Sequence, residues 1–105
     1  MAFGCDVTYI DERAVVAVRG ELDIATAPVL TGEVDRVLGR AIPGITVDLG
    51  SVTFLDSSGV AALLDVRRTA DERGIVLGLE NVTRQCRRTI DVTGLTEILG
   101  LATQA

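Results

Sequence analysis

The sequence predicts an α/β fold, with a mixed β-sheet of about four to five strands and helices packed on it. Three observations support this prediction. Strand-like and helix-like runs alternate from residue 20 onward, after an initial pair of strands. The apolar run 14–18 shows little alternation, as in a strand that is covered on both faces. The chain has 105 residues, 48% of them hydrophobic, which suits one domain over residues 1–105.

Two antiparallel strands are predicted at the N-terminus. They cover residues 7–12 and 14–20, and the charged residues 11–13 form the turn between them. Because strand and helix alternate after this pair, the later strands are expected to run parallel to each other.

The first helix is predicted to follow the loop 20–28. Thr26 is the expected N-cap, and Pro28 is tolerated in the first turn, where no intrahelical N–H bond is lost. Apolar residues then recur at helical spacing and stop near Pro43. They are Leu30, Val34, Val37, Leu38 and Ala41.

The second half of the chain continues the alternation. The predicted elements are a strand over 45–49, a helix over about 58–73, a strand over 75–80 and a helix over about 83–92. Gly74 ends the first of these helices. Gly94 stands where a left-handed C-cap would follow the second.

Composition narrows the class of partner. The net charge of −5 and the isoelectric point near 4.5 argue against nucleic acid or an anionic membrane as the main partner. The N-terminus has no signal-peptide pattern, and no apolar run approaches the roughly 20 residues that span a bilayer, so a cytoplasmic location is expected. Cys5 and Cys86 are predicted to be buried apolar residues and not a disulfide or a metal site.

Two residue types are missing from the chain. It has no histidine, and all ten basic residues are arginine. A Ser-His-Asp triad, a histidine metal ligand, a Walker A lysine and a Schiff base are therefore excluded. The sequence predicts a protein that is not an enzyme and that uses no metal and no cofactor.

The stretch 54-FLDSSGV-60 admits four interpretations. A nucleophile elbow is excluded because the stretch lacks the first glycine of that motif and the chain has no histidine to act as base. A phosphate-binding loop is excluded because the stretch has only one glycine and the chain has no lysine. A helix start is possible, with Asp56, Ser57 or Ser58 as the cap. A regulated serine is also possible, because a helix N-terminus holds a phosphate well. The residues alone leave the last two interpretations open.

The helix after this stretch is predicted to have two apolar faces. Its core face is expected to hold Gly59, Ala62, Leu63, Val66 and Ala70. Val60 and Leu64 fall on another side, with Arg67, Arg68 and Asp71. That side is a partner-binding patch next to the serines, an ordinary exposed surface, or a surface that the C-terminal tail covers.

Three segments together resemble a known family. The segments 47-VDLGSVTFLDSSGVAALLDVRRTADERG-74, 20-GELDIATAP-28 and 87-RRTIDVTGLTEIL-99 are similar to the anti-sigma factor antagonists of the STAS domain family, in the same order and spacing. Two departures are small. Ala61 stands where many relatives have a second glycine, and Cys86 replaces a commoner apolar residue or proline.

The resemblance implies a single STAS domain and a partner switch. In such antagonists the dephosphorylated form binds an anti-sigma factor that is also a serine kinase, which releases a sigma factor. The kinase then phosphorylates the second serine, here Ser58, and a serine phosphatase resets it. The alternative is a STAS scaffold or a transport-accessory subunit without a switch.

The resemblance also implies which residues surround that serine. Asp23, Asp56, Ser57 and Gly59 are expected to form the loop around the phosphorylation site. The partner interface is expected to comprise Val60, Leu64 and Arg67.

Overall fold

The computed structural model describes residues 2–101, in which four strands and three helices alternate after an initial strand pair. The elements are β1 Gly4–Ile10, β2 Arg13–Leu22, α1 Ala27–Leu38, β3 Gly44–Leu55, α2 Ser57–Glu72, β4 Val76–Glu80 and α3 Arg84–Thr93. The strands form one sheet in the order β1-β2-β3-β4. The predicted α/β class with a mixed sheet is confirmed.

The pairing of the strands follows from the connections between them. β1 and β2 pair antiparallel across a tight turn in which Asp11 and Glu12 take left-handed φ angles of 49° and 68°. The pairs β2–β3 and β3–β4 are parallel, and α1 and α2 are the connections that parallel pairs require. In this register Leu22 lies beside Leu55, so β2 and β3 end together at one edge of the sheet.

The core lies between the helices and one face of the sheet. In β2, Ala14, Val16 and Val18 are completely buried, whereas Val15 and Ala17 are half-buried. The expectation that both faces of this strand are covered is therefore wrong on one side, because all three helices pack on the same face. The predicted core face of α2 is confirmed, since all five of its residues are buried.

Several predicted boundaries differ from the structure, among them the C-terminal ends of β3 and α1. β3 continues to Leu55, past residue 49, because its second half still pairs with β2. At two register shifts β3 contains one residue more than β2 does, as in a β-bulge. α1 ends at Leu38, so Ala41 lies outside the helix and is exposed. The Arg40 N–H donates to the Val37 carbonyl, which tightens the last turn before Pro43.

The C-terminal elements follow the prediction closely. α3 ends at Gly94 with φ 77°, the expected left-handed cap. Cys86 on α3 is buried as predicted, while Cys5 on β1 is only half-buried, and neither forms a disulfide. Within residues 2–101 no helix is long and apolar enough to cross a membrane.

Candidate functional site

The start of α2 is capped by an aspartate. Asp56 is extended at φ −113° and ψ −174°, and its Oδ1 accepts a hydrogen bond from the Gly59 N–H at 3.0 Å. The Val60 N–H donates to the Asp56 carbonyl at 3.0 Å and closes the first turn. Because the carboxylate occupies the cap, Ser57 and Ser58 are the first two residues inside the helix and neither serves as its cap.

Gly59 allows the start of α2 to press against the ends of two strands. A Cβ atom at this position would lie 2.5 Å from the Leu22 carbonyl oxygen and 2.6 Å from the Leu55 Cδ1. The Asp56 N–H also points to the Leu22 carbonyl, at 3.4 Å. The residue before the serines and the residue after them are thus both fixed to the sheet, which sets the position of the serines.

The loop after β2 is held by its own hydrogen bonds. The Asp23 Oδ1 accepts from the N–H groups of Ala25 and Thr26, at 3.0 and 3.1 Å. The Thr26 hydroxyl donates to the Glu21 carbonyl at 2.7 Å and accepts from the Asp23 N–H at 2.9 Å. Thr26 is therefore the N-cap residue of α1 by position, but its hydroxyl braces the preceding loop and makes no cap hydrogen bond.

Ser58 is half-buried in a groove between the start of α1 and α2. The groove has a volume of about 380 Å³ and is lined, besides Ser58, by Ile24, Ala27, Pro28, Thr31, Ala61, Ala62 and Asp65. Ser57 is exposed and does not line it. Among residues 2–101 neither serine hydroxyl forms a hydrogen bond to another protein group, so both hydroxyls are available for modification.

The charge around Ser58 is acidic. Asp65 is the one charged residue in the lining of the groove, and Asp56 adjoins the serines in the chain. The lining contains no arginine. Asp23 belongs to the loop that follows Leu22, and Leu22 touches Gly59, so the structure brings the Asp23 loop and the serine turn together.

The structure corrects the expected surface at Val60. This side chain is only 1% exposed, so the expectation that Val60 is exposed is wrong. The C-terminal segment lies against this side of α2 at Arg67, which favours the interpretation in which the tail covers it. Leu99 in that segment is 1% exposed, and a Cβ on Gly100 would lie 2.8 Å from the Arg67 Nη1. Leu64 and Arg67 stay half-buried, so a contact between them and a partner remains a prediction.

Sequence reasoning missed the apolar residues on the opposite side of the serine turn. Ile24 is 77% exposed although it is a large aliphatic residue, and it lines the same groove as Ser58. Pro28 and Ala61 are exposed beside it. A signal was present in the sequence: Ile24 stands in a loop, outside the apolar repeat of α1, so nothing in the core pattern accounts for it.

Comparison with known proteins adds a family and several relatives. The family model described as "Mlab, STAS domain" matches residues 5–101. The chain is similar to the anti-sigma-B factor antagonist of Bacillus subtilis (strain 168), with 27% identity over 107 residues that cover 100% of this chain and 95% of the relative.

Two solved structures share the fold. One is an anti-sigma factor antagonist from Mycobacterium paratuberculosis, with a TM-score of 0.81 and 28% identity over 98% of this chain and 87% of that one. The other is the Bacillus cell fate determinant SpoIIAA in its phosphorylated form, with a TM-score of 0.68 and 24% identity over 98% and 93% of the two chains.

Proposed function

The chain belongs to the STAS domain family, and we propose that it acts as an anti-sigma factor antagonist, a binding module without catalytic activity. Support comes from a relative of that name whose similarity covers this whole chain, and from a solved antagonist that shares its fold. In this role the protein binds an anti-sigma factor and thereby releases a sigma factor.

Ser58 is the proposed switch residue. The main support is that its hydroxyl does not cap the helix. A serine that caps a helix has its hydroxyl engaged, and its modification would break the helix start. Here Asp56 makes the cap bond to Gly59, so a phosphate on Ser58 leaves that bond intact. A related fold is known in a phosphorylated form, which supports this chemistry.

Phosphorylation would act through charge. A phosphoserine adds about −1.5 to −2 charges at pH 7. The groove at Ser58 contains Asp65 and no arginine, so no cation of the groove lining neutralises the added charge. The surface changes from mildly to strongly negative, and a partner whose contact surface is acidic or apolar loses affinity.

The proposed partner surface is centred on the groove at Ser58. Ile24, Pro28 and Ala61 present apolar atoms next to the hydroxyl, and a partner that covers them also covers Ser58. Leu64 and Arg67 lie on another side of α2, outside the lining of this groove, and would form a separate part of the interface. Ser57 lies at its edge.

The switch is tested by comparing phosphorylation of the wild type with that of variants at the two adjacent serines. The tagged chain is captured from its own cell, and the associated kinase is identified and incubated with the chain and ATP. We expect one phosphate, on Ser58, which the Ser58→Ala variant abolishes and the Ser57→Ala variant retains. A serine phosphatase is then expected to restore binding.

Three outcomes would contradict parts of the proposal. Phosphate mapped to Ser57 overturns the choice of serine. A bound kinase that leaves the chain unmodified favours a scaffold without a switch. Capture of membrane transport proteins, with no anti-sigma factor, favours the accessory role.

A further inference from the structure

A second groove lies along α3 and is strongly basic. It has a volume of about 770 Å³ and is lined by Val82, Arg84, Arg87, Arg88, Asp91 and Val92. It shares no lining residue with the groove at Ser58. Three arginines in one groove are unexpected in a chain with a net charge of −5.

The two grooves lie at different places along β3. β4, which leads into α3, ends at Glu80 beside Asp48. The serine turn follows Leu55, seven residues further along β3. At about 3.3 Å per residue, Asp48 and Leu55 are roughly 20 Å apart along β3. The two grooves also share no lining residue, so a ligand of the arginine groove need not touch the switch.

The guanidinium groups of this groove are incompletely paired. Arg84 and Arg88 are exposed, and neither has a carboxylate within 4.0 Å among residues 2–101. The Arg87 Nε lies 3.8 Å from the Asp91 Oδ1, which also accepts a 2.6 Å hydrogen bond from the Thr96 hydroxyl. That Nε is buried without a hydrogen-bond partner. The exposed guanidinium groups of Arg84 and Arg88 thus remain available to a ligand.

The stability of α3 does not explain these arginines. Arg84 is the first residue of the helix, and its first turn contains no acidic residue. Positive charge at a helix N-terminus opposes the helix dipole. Arg84 and Arg88 are also four residues apart, the spacing at which like charges on a helix repel. Each feature is unfavourable for folding and favourable for binding an anion.

We propose that this groove docks an acidic segment of a protein partner. Val92 lines the groove and is 83% exposed, and arginine beside an exposed aliphatic residue is typical of protein interfaces. Arg84 and Arg88 are exposed to solvent. Small ligands are usually enclosed in a pocket, so an exposed groove is better suited to an extended peptide segment that binds along the surface. The net charge of −5 disfavours nucleic acid.

The proposal is tested by titrating the isotope-labelled full chain with poly-L-glutamate and following its amide signals by NMR. We expect shifts confined to residues 82–92, which fade as salt is added. The Arg84→Gln/Arg88→Gln variant is expected to bind roughly tenfold more weakly. The Arg36→Gln/Arg68→Gln variant removes the same charge from α1 and α2 and should bind as the wild type does.

Other outcomes would overturn the proposal. Equal losses in the two double variants would mean that only net charge matters. Shifts at the groove with inorganic pyrophosphate but not with poly-L-glutamate would mark a site for small phosphate ligands, and no shifts with either would leave no anion site. The Ser58→Ala variant is expected to bind poly-L-glutamate normally, so failure of the serine switch and failure of this groove are separable.

Discussion

The carboxylate of Asp56 accepts a hydrogen bond from the backbone N–H of Gly59 at 3.0 Å, across the two serines at the start of α2. This bond keeps the helix start in place while both hydroxyls stay free. We expect Asp56→Ala to lower the free energy of unfolding by about 1 kcal/mol, because a helix N–H loses its acceptor. Urea titration measures this loss. Asp56→Asn should recover most of it, and an equal loss in both variants would contradict the capping role.

Gly59 offers a test of close packing, with a matched control in α1. Gly59→Ala would bring a methyl group to 2.5 Å from the Leu22 carbonyl oxygen, so we expect a loss of roughly 1–3 kcal/mol in the free energy of unfolding. Gly32 is also helical, but a methyl group at its position would have no neighbouring atom within 4 Å. Gly32→Ala should therefore stabilise the protein by about 0.5–1 kcal/mol. Stabilisation by both substitutions would refute the packing argument.

The sequence predicted best what depends on local pattern. The antiparallel pair β1–β2, the core face of α2 and the left-handed Gly94 all follow from residue type and spacing, and the structure confirms each. Such features are determined by residues that are close to one another in the sequence. The alternation of strand and helix then indicated the parallel order of the later strands.

The remaining features depend on contacts between distant parts of the chain. Helical spacing put Val60 outside the core face but held no information on the distant parts of the chain that bury it. Three neighbouring residues had cap-forming side chains, and only the extended backbone at Asp56 decided among them. The groove at Ser58 requires the packing of α1 against α2, so Ile24 could be noticed in the sequence but not assigned to a surface.

Cys5 gives a prediction for alkaline pH. Burial raises the pKa of its thiol to about 11, from an ordinary value of 9.0; Glu33 and Asp6 add to the rise and Arg19 opposes it. Above pH 9 the unfolded chain loses this proton while the folded chain keeps it, so the free energy of unfolding falls as pH rises from 9 to 11. Urea titrations across this window should show a shallower fall for Cys5→Ala. Parallel curves for the two proteins would contradict the shifted pKa.

Ser58→Asp imitates part of the charge of a phosphate. We expect partner binding to weaken roughly tenfold while the free energy of unfolding changes by less than about 0.5 kcal/mol, because a helix start accepts an acid. Ser57→Asp is the matched control, with the same charge one residue away on an exposed position outside the groove. Calorimetric titration with the partner measures the affinities. Equal weakening in the two variants would mean that the site does not distinguish the serines.

Substitutions at Val60 and at Ile24 should distinguish an effect on stability from an effect on partner binding. Val60 is 1% exposed, so Val60→Ala leaves a cavity and should cost roughly 1–3 kcal/mol in the free energy of unfolding, with little effect on the affinity of the folded protein. Ile24 is 77% exposed beside Ser58, so Ile24→Ala should leave stability within about 0.5 kcal/mol and weaken partner binding. Thermal unfolding and calorimetric titration on the same samples give both quantities. If Val60→Ala alone lost affinity at unchanged stability, the partner would bind the side of α2 that the C-terminal segment covers, and that segment would have to move when the complex forms.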